Sequence, residues 1–338
     1  MQDKQSGKGV GCLFGCLFVV VGVVLLASLA TNGILAMGLY LKGGRTGLMD
    51  DQPQDQYPQL TTSWSYGEGD VTVARIPVYG VITREMDDGF FLADVDMVEG
   101  IIRQIRAAQA DEEVQAIILE IDSPGGAITP TDEIYKALVD FRESSSERRI
   151  LAFCRGLAAS GGYYVAAGAD WIVAEPTSII GSISVIMQTL NWKVLSDKVG
   201  VTDVTITSGE HKDLLNPFKA VSEEDRAIVQ ELVNGMYTHF VEVVCRGRGM
   251  AEEALKPYAD GRVFLPEVAQ EAGLIDEVGY WEDAVAAMER LLDVDGVKVI
   301  RYEQPADFWS VFSSVKFDWS PQGLLNRSYP RFWYLWNP

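Results

Sequence analysis

Ser160 stands in GLAASGGYY (Gly156–Tyr164), between an apolar run and two glycines. A hydroxyl there suits two tasks. It can cap a helix after a turn, or it can attack a substrate carbonyl where a peptide backbone comes close. The second task needs a base. The chain has 2 histidines, His211 and His239. His239 falls within SEEDRAIVQELVNGMYTHFVEVVCRGRGM. That stretch has the spacing of a long helix capped at Ser222 with an acidic first turn, so His239 reads as structural. His211 lies in ITSGEHKDLLNPF, beside Lys212. Composition permits a Ser-His-Asp triad, and a lysine can serve as the base instead. A free lysine titrates at about 10.4, and lowering that to about 8 takes about 3 kcal/mol of destabilisation of the charged form. Burial in apolar surroundings supplies such an effect. Asp213 opposes it unless the segment is extended, where neighbouring side chains point to opposite faces.

Two glycine pairs, Gly125-Gly126 in EIDSPGG and Gly161-Gly162, lie 36 positions apart. Each follows a strand-like run and precedes a helix-like one. Glycine lets a backbone approach closely, and the N-terminus of the following helix favours an anion. A phosphate is one candidate, but the phosphate-loop pattern G-x-x-x-x-G-K-[ST] is absent. A tetrahedral oxyanion beside a nucleophile is the other. Taken alone, Ser123-Pro124-Gly125-Gly126 reads equally well as a plain turn.

The elements that must hold these residues alternate. VTVARIPVYGVI, VQAIILEID, RRILAFC and DWIVAE read as strands, and VDMVEGIIRQIRAAQA, TPTDEIYKALVDFRE and SGGYYVAAGA as helices. The stretch SISVIMQTLNWKVLSDKV is mixed. This alternation predicts an α/β domain over residues 71–296.

From Gly9 to Leu41 no residue is charged. As a helix those residues would reach about 50 Å, against about 30 Å of hydrocarbon, so a membrane anchor is expected within residues 1–42, near Leu13–Met37. A cleaved signal peptide ending near Ser28-Leu29-Ala30 is the alternative. Flanking charge does not set the orientation, because Lys4 and Lys8 balance Lys42 and Arg45. Residues 43–70 are polar and rich in Gly, Pro and Gln, the composition of a tether. Residues 297–338 form a tail, and ADFWSVFSSVKFDWSPQGLLNRSYPRFWYLWNP holds 10 aromatic side chains in 33 residues. Packing on the core or a neighbouring subunit, a place at the membrane interface, and occupation of a peptide groove are its three readings. A net charge of −20 argues against nucleic acid as a partner. The 4 cysteines show no C-x-x-C pair and no zinc spacing, and Cys154 and Cys245 are expected as free thiols rather than as a disulfide. No metal and no cofactor is expected.

Taken in order, EIDSPGG, ASGGYYVAAGAD, EPTSIIGSISV, ITSGEHKD and ADGRVFLPEVAQEAGLIDEVG resemble the signal peptide peptidase A family of membrane-anchored serine proteases. The resemblance covers about Val71–Leu292 and the anchor. It implies a fold similar to ClpP and the crotonases, with stacked strand-strand-helix units, in the short single-unit form. It implies Ser160 as nucleophile and Lys212, 52 positions later, as general base. Ser182 would orient the lysine, and Gly126 and Gly161 would donate oxyanion N–H groups. Ser184 stands where the family usually has glycine. The resemblance also implies an octameric ring in which serine and lysine meet across a subunit boundary. The catalytic domain would lie on the extracytoplasmic, periplasmic side, cleaving residual signal peptides or other hydrophobic segments. A protease trimming one membrane partner, an inactive scaffold ring, and an acyl-CoA enzyme on the same fold are the competing readings. The anchor and the Ser160/Lys212 pairing argue against the last.

Overall fold

The computed structural model describes residues 21–34, 55–58, 60–84, 96–303 and 331–335, the last for backbone only. Two compact units divide the chain, residues 1–53 and 54–338. In the first, residues 21–34 form helix α1. It occupies the middle of the expected Leu13–Met37 span, whose ends at 13–20 and 35–37 lie outside the described residues. Among the described residues no helix is long and apolar enough to cross a membrane.

The second unit begins with β1 (Thr61–Tyr66), β2 (Val71–Tyr79), α2 (Met97–Ala110), β3 (Val114–Ser123) and β4 (Gly125–Ala127). There follow α3 (Ile128–Glu143), β5 (Arg149–Ala159), α4 (Gly161–Ala166), β6 (Trp171–Ala174), β7 (Ile179–Gly181), β8 (Ile186–Gln188) and α5 (Lys193–Val199). The rest comprises α6 (Glu223–Arg248), α7 (Glu252–Leu255), β9 (Val263–Phe264), α8 (Pro266–Glu271), β10 (Glu277–Val278), α9 (Trp281–Leu292), β11 (Val297–Glu303) and β12 (Arg331–Leu335).

The main sheet runs β1-β11-β2-β3-β5-β6-β10, with β7 beside the end of β5 and β9 beside β7. From β11 to β10 every neighbouring pair is parallel. Parallel strands are covered on both faces, which is why β3 and β5 read as unbroken apolar runs. Alternate residues then serve opposite cores. Ile117, Leu119 and Ile121 of β3 and Ile150, Ala152 and Cys154 of β5 join the core that also holds α2, α3, α4 and α6. Ala116, Ile118, Leu151 and Phe153 join the smaller core under α9. Thr61–Tyr66, at the end of the stretch read as a tether, instead forms the antiparallel edge strand against β11. The remainder of that stretch up to residue 54 lies outside the described residues.

One charge breaks the second core. Glu120 of β3 is 1% exposed. Arg75 meets it at 2.6 Å and Arg155 at 3.0 Å, and Arg75 also lies 4.1 Å over the Trp281 ring. Burial pushes the Glu120 carboxyl up, but hydrogen bonds from Arg75 and Tyr79 and the charge of Arg155 outweigh it and hold the group below its ordinary 4.5. A depressed carboxylate adds stability above the unfolded-state value and loses it as pH falls through the folded-state value. Glu120→Gln should therefore cost about 3 kcal/mol at pH 7, by loss of one partner of a buried pair. Its denaturation midpoint should also vary less than that of the wild type below pH 4.5. Parallel acid profiles for the two proteins in urea titrations would remove Glu120 from the acid response.

Candidate active site

β5 ends at Ala159, and Ser160 turns the chain into α4 with φ 53° and ψ −116°. That conformation is costly for a residue with a Cβ, of order 1–3 kcal/mol. The turn is held on both sides. Ser160 N–H donates to the Gly181 carbonyl at 2.7 Å, and the Ser160 carbonyl accepts from Tyr164 N–H at 2.9 Å. The residue is 1% exposed, at the N-terminus of α4.

β7 pairs with the end of β5 so that Ala159 lies opposite Gly181. Ser160 and Ser182 therefore leave adjacent strands at the same register. Ser182 also has positive φ, 54°, and is pinned by its N–H to the Arg262 carbonyl at 2.8 Å. Two strained serines side by side were not readable from sequence, where neither strand pairing nor φ is printed. Ser184, the departure from the family pattern, packs near Gly261, where an added Cβ would stand 3.3 Å from the Ser184 Cβ.

The two glycine pairs come together. A Cβ on Gly161 would lie 3.1 Å from Gly125 Cα and 3.1 Å from Gly126 N, and one on Gly162 would lie 2.6 Å from the Ser123 carbonyl oxygen. Only glycine lets α4 start this close to β4. The SPGG turn is fixed from within. The Ser123 hydroxyl donates to the Gly80 carbonyl at 2.7 Å and accepts from Gly125 N–H at 3.1 Å. On its other edge β4 meets Ile82, whose N–H donates to the Gly125 carbonyl at 2.9 Å and whose carbonyl accepts from Ala127 N–H at 2.8 Å. A Cβ on Gly126 would collide with that carbonyl. Backbone groups alternate along a strand, so the Gly126 N–H and C=O face away from Ile82. They face β12, which lies between β4 and β8 in a three-stranded antiparallel sheet. Tyr334 stands opposite Gly126.

Lys212 is not part of this cluster. It lies exposed in successive turns over 209–215, its N–H donating to the Gly209 carbonyl at 3.2 Å. No hydrogen bond or ion pair joins it to a described side chain of the same chain, Ser160 and Ser182 included. The segment around Asp213 is a run of turns rather than extended, and Asp213 is drawn to Lys219. His211 lies 3.7 Å from Glu224 and 3.6 Å from Asp225, at the start of α6. His239 lies 3.4 Å from Asp132. Each histidine thus faces a carboxylate, and neither is hydrogen-bonded to Ser160. The expected cap of α6 is present, with the Ser222 hydroxyl accepting from Asp225 N–H at 3.0 Å.

Cys154 and Cys245 are free. Burial pushes the Cys154 thiol up to about 12, against the weaker effect of Arg248, so it stays protonated and unreactive on the strand that ends at Ser160.

The model of the family described as peptidase family S49 matches residues 142–295, and that of Clp protease matches residues 91–180. A protein of Enterococcus faecium that carries the name signal peptide peptidase SppA is 36% identical over 237 residues, 70% of this chain and 68% of that one. A protein of Synechocystis sp. named as a protease is 36% identical over 235 residues, 69% of this chain and 79% of that one. A third, of Methanocaldococcus jannaschii and also named as a protease, is 32% identical over 215 residues, 64% of this chain and 68% of that one. With its mostly parallel α/β sheet and this level of identity to relatives of which it spans two thirds or more, the chain belongs to peptidase family S49, the serine peptidases.

Proposed function

We propose that the protein is a membrane-anchored endopeptidase with a Ser160–Lys212 dyad. On this reading it cleaves signal peptide remnants or other hydrophobic segments at the extracytoplasmic face of a membrane. The observation that carries the reading is the kinked Ser160, set at a helix N-terminus against Gly125-Gly126. The Ser160 oxygen attacks the scissile carbonyl and its proton passes to Lys212. The Gly126 and Gly161 N–H groups receive the developing oxyanion, a role such donors fill for about 3 kcal/mol each. The lysine then returns the proton to the leaving amine, and water releases the acyl group.

Lys212 reaches Ser160 from a second copy of the chain. Two features support this. Lys212 is exposed within one chain, and the segment before it carries bare apolar side chains, among them Val199 (64% exposed), Val204 (81%) and Ile206 (93%). Apolar surface on that scale calls for a partner, and a ring of like subunits, an octamer by resemblance, provides one at every boundary. A covering neighbour also excludes water, which favours the neutral amine that a base requires. On this reading Ser182, which leaves the strand beside that of Ser160 at the same register, orients that amine. The uncharged run through α1 serves as the anchor. A serine-directed acylating probe tests the centre of this reading. The adduct should map to Ser160 by peptide mass spectrometry, and an adduct on another serine would overturn it.

β12 supports a further detail. We read β4 and β8 as the two walls of the peptide cleft, with β12 seated where substrate pairs. A tethered strand competes at a high effective concentration. Removing residues 331–338 should therefore raise kcat/KM for short peptides several-fold, mainly through KM. Unchanged peptide kinetics in the truncated protein would show that the strand lies clear of the substrate path.

A further inference from the structure

We propose that Asp132 and Tyr164 are positioning residues of this peptidase, their hydrogen bond fixing the distance between the Ser160 hydroxyl and the Gly126 N–H. The inference rests on Ser160 and Gly126 having the roles given above. It starts from a mechanical problem. Ser160 is held at φ 53° at the head of a helix of 6 residues, with no side-chain cap. A helix that short has little rigidity of its own. Beyond the backbone bonds of Ser160 and the close approach of Gly161 to β4, its place is set by two tyrosine hydroxyls, Tyr163 donating to the Leu274 carbonyl at 2.7 Å and Tyr164 donating towards α3.

Tyr164 lies one turn beyond Ser160 on α4 and is fully buried, at 0% exposure. Its ring meets Tyr135 of α3 edge-on at 5.4 Å and Phe240 of α6 at 5.1 Å. Its hydroxyl donates to Asp132 Oδ1 at 2.5 Å. Asp132 belongs to α3, which begins directly after β4, the strand of Gly126. The junction between them is locked by the preceding residue, Thr131, whose hydroxyl donates to the Ala127 carbonyl at 2.8 Å. That same hydroxyl oxygen would lie 2.9 Å from a Cβ on Gly161. α3 and β4 therefore move together, and the Tyr164–Asp132 bond ties them to α4.

A third element reaches the same carboxylate. His239 Nε2 of α6 lies 3.4 Å from Asp132 Oδ1. α6 follows directly on the segment that carries Lys212. One carboxylate thus joins the element bearing Ser160, the element bearing Gly126 and the helix that continues from Lys212. Neither Asp132 nor Tyr164 touches the reacting atoms, so both act through Ser160 and β4. Catalysis is sensitive to placement at this scale, since a shift of about 1 Å costs about 100-fold in rate.

Four substitutions test this in the full chain, with a short peptide substrate and the serine-directed probe, rates being expressed per folded molecule. Tyr164→Phe deletes the donor alone and leaves Asp132 to water, which reaches it because its side chain is 46% exposed. Asp132→Glu keeps the charge and moves the acceptor by a methylene. Each should lower kcat and the probe acylation rate about 10-fold or more, from displacement of the nucleophile. KM should be nearly unchanged, because the cleft walls are intact. Asp132→Asn keeps an acceptor oxygen and should fall between wild type and Asp132→Ala. A structural role alone predicts a lower melting temperature with kcat per folded molecule unmoved, and that result overturns the proposal. Wild-type kcat in either Tyr164→Phe or Asp132→Glu overturns it equally, so one variant suffices if the other does not fold. Failure of the underlying reading looks different. In that case the probe labels a residue other than Ser160 in the wild type. Loss of the positioning role alone leaves Ser160 labelled at the wild-type rate in Tyr164→Phe.

Discussion

Ser160→Ala should reduce peptide turnover by about 10,000-fold or more, the scale on which removal of a hydrolytic nucleophile acts. The protein should fold as before. The two hydrogen bonds that shape the turn use the backbone of Ser160, its N–H to Gly181 and its carbonyl from Tyr164. No described side chain hydrogen-bonds to the Ser160 hydroxyl, so alanine orphans no partner. The strain at φ 53° remains, because alanine keeps the Cβ. Glycine removes it. Ser160→Gly should be equally inactive yet more stable than Ser160→Ala by about 1 kcal/mol. Turnover and chemical denaturation on the same two preparations check both halves. Peptidase activity persisting in pure Ser160→Ala would sink the nucleophile assignment. A Ser160→Gly protein less stable than Ser160→Ala would mean that the kink stores no strain.

Lys212→Ala should be as inactive as Ser160→Ala, and the two inactive proteins should restore activity when assembled together. The reasoning is geometric. In the proposed assembly each boundary would take its serine from one subunit and its lysine from the next, a head-to-tail arrangement. In a random mixture of the two variants about one boundary in four holds both intact groups, so about a quarter of wild-type activity should return. A dyad within one chain predicts none, since every subunit lacks one member. The subunits must be co-expressed with different tags and recovered as a mixed assembly. A mixed assembly with no activity removes the cross-boundary dyad. Recovered activity should fall on dilution, as the exposed Val199, Val204 and Ile206 return to water.

The parts of the fold that could be read from sequence are those whose signal is local. β3 and β5 are continuous apolar runs because both faces are covered, and a run needs no knowledge of its neighbours. The cap at Ser222 is legible because a serine before acidic residues has one common use. β1 was not legible. TTSWSY is polar and alternates weakly, and it becomes a strand only by pairing with β11, where Thr61 lies opposite Glu303. β12 depends in the same way on β4 and β8, both 3 residues long. At the site, the glycines announced a close approach, and the structure supplies its partners. Asp132 and Tyr164 left no trace, because two polar residues 32 positions apart have no period and no motif. Lys212 was legible through its motif alone, and the geometry within one chain gives it no contact with Ser160.

The seating of β12 between β4 and β8 has a consequence for what such a cleft can accept. A chain held on both edges must offer N–H and C=O groups to left and right along at least three residues. A helix has spent those groups internally. If substrate takes the place of β12, as proposed above, the cleft would discriminate by secondary structure before it discriminates by side chain. A membrane segment that remains helical presents no free backbone, however apolar its sequence. Unwinding it inside hydrocarbon leaves each freed group without a partner, at a cost of several kcal/mol apiece. On the proposed function, selection would then fall on segments that have already lost their helix, such as a remnant whose shortened length no longer spans the bilayer. Glycine or proline within a target should hasten its loss more than any change of apolar side chain, and intact helical anchors in the same membrane would be spared by their own hydrogen bonds.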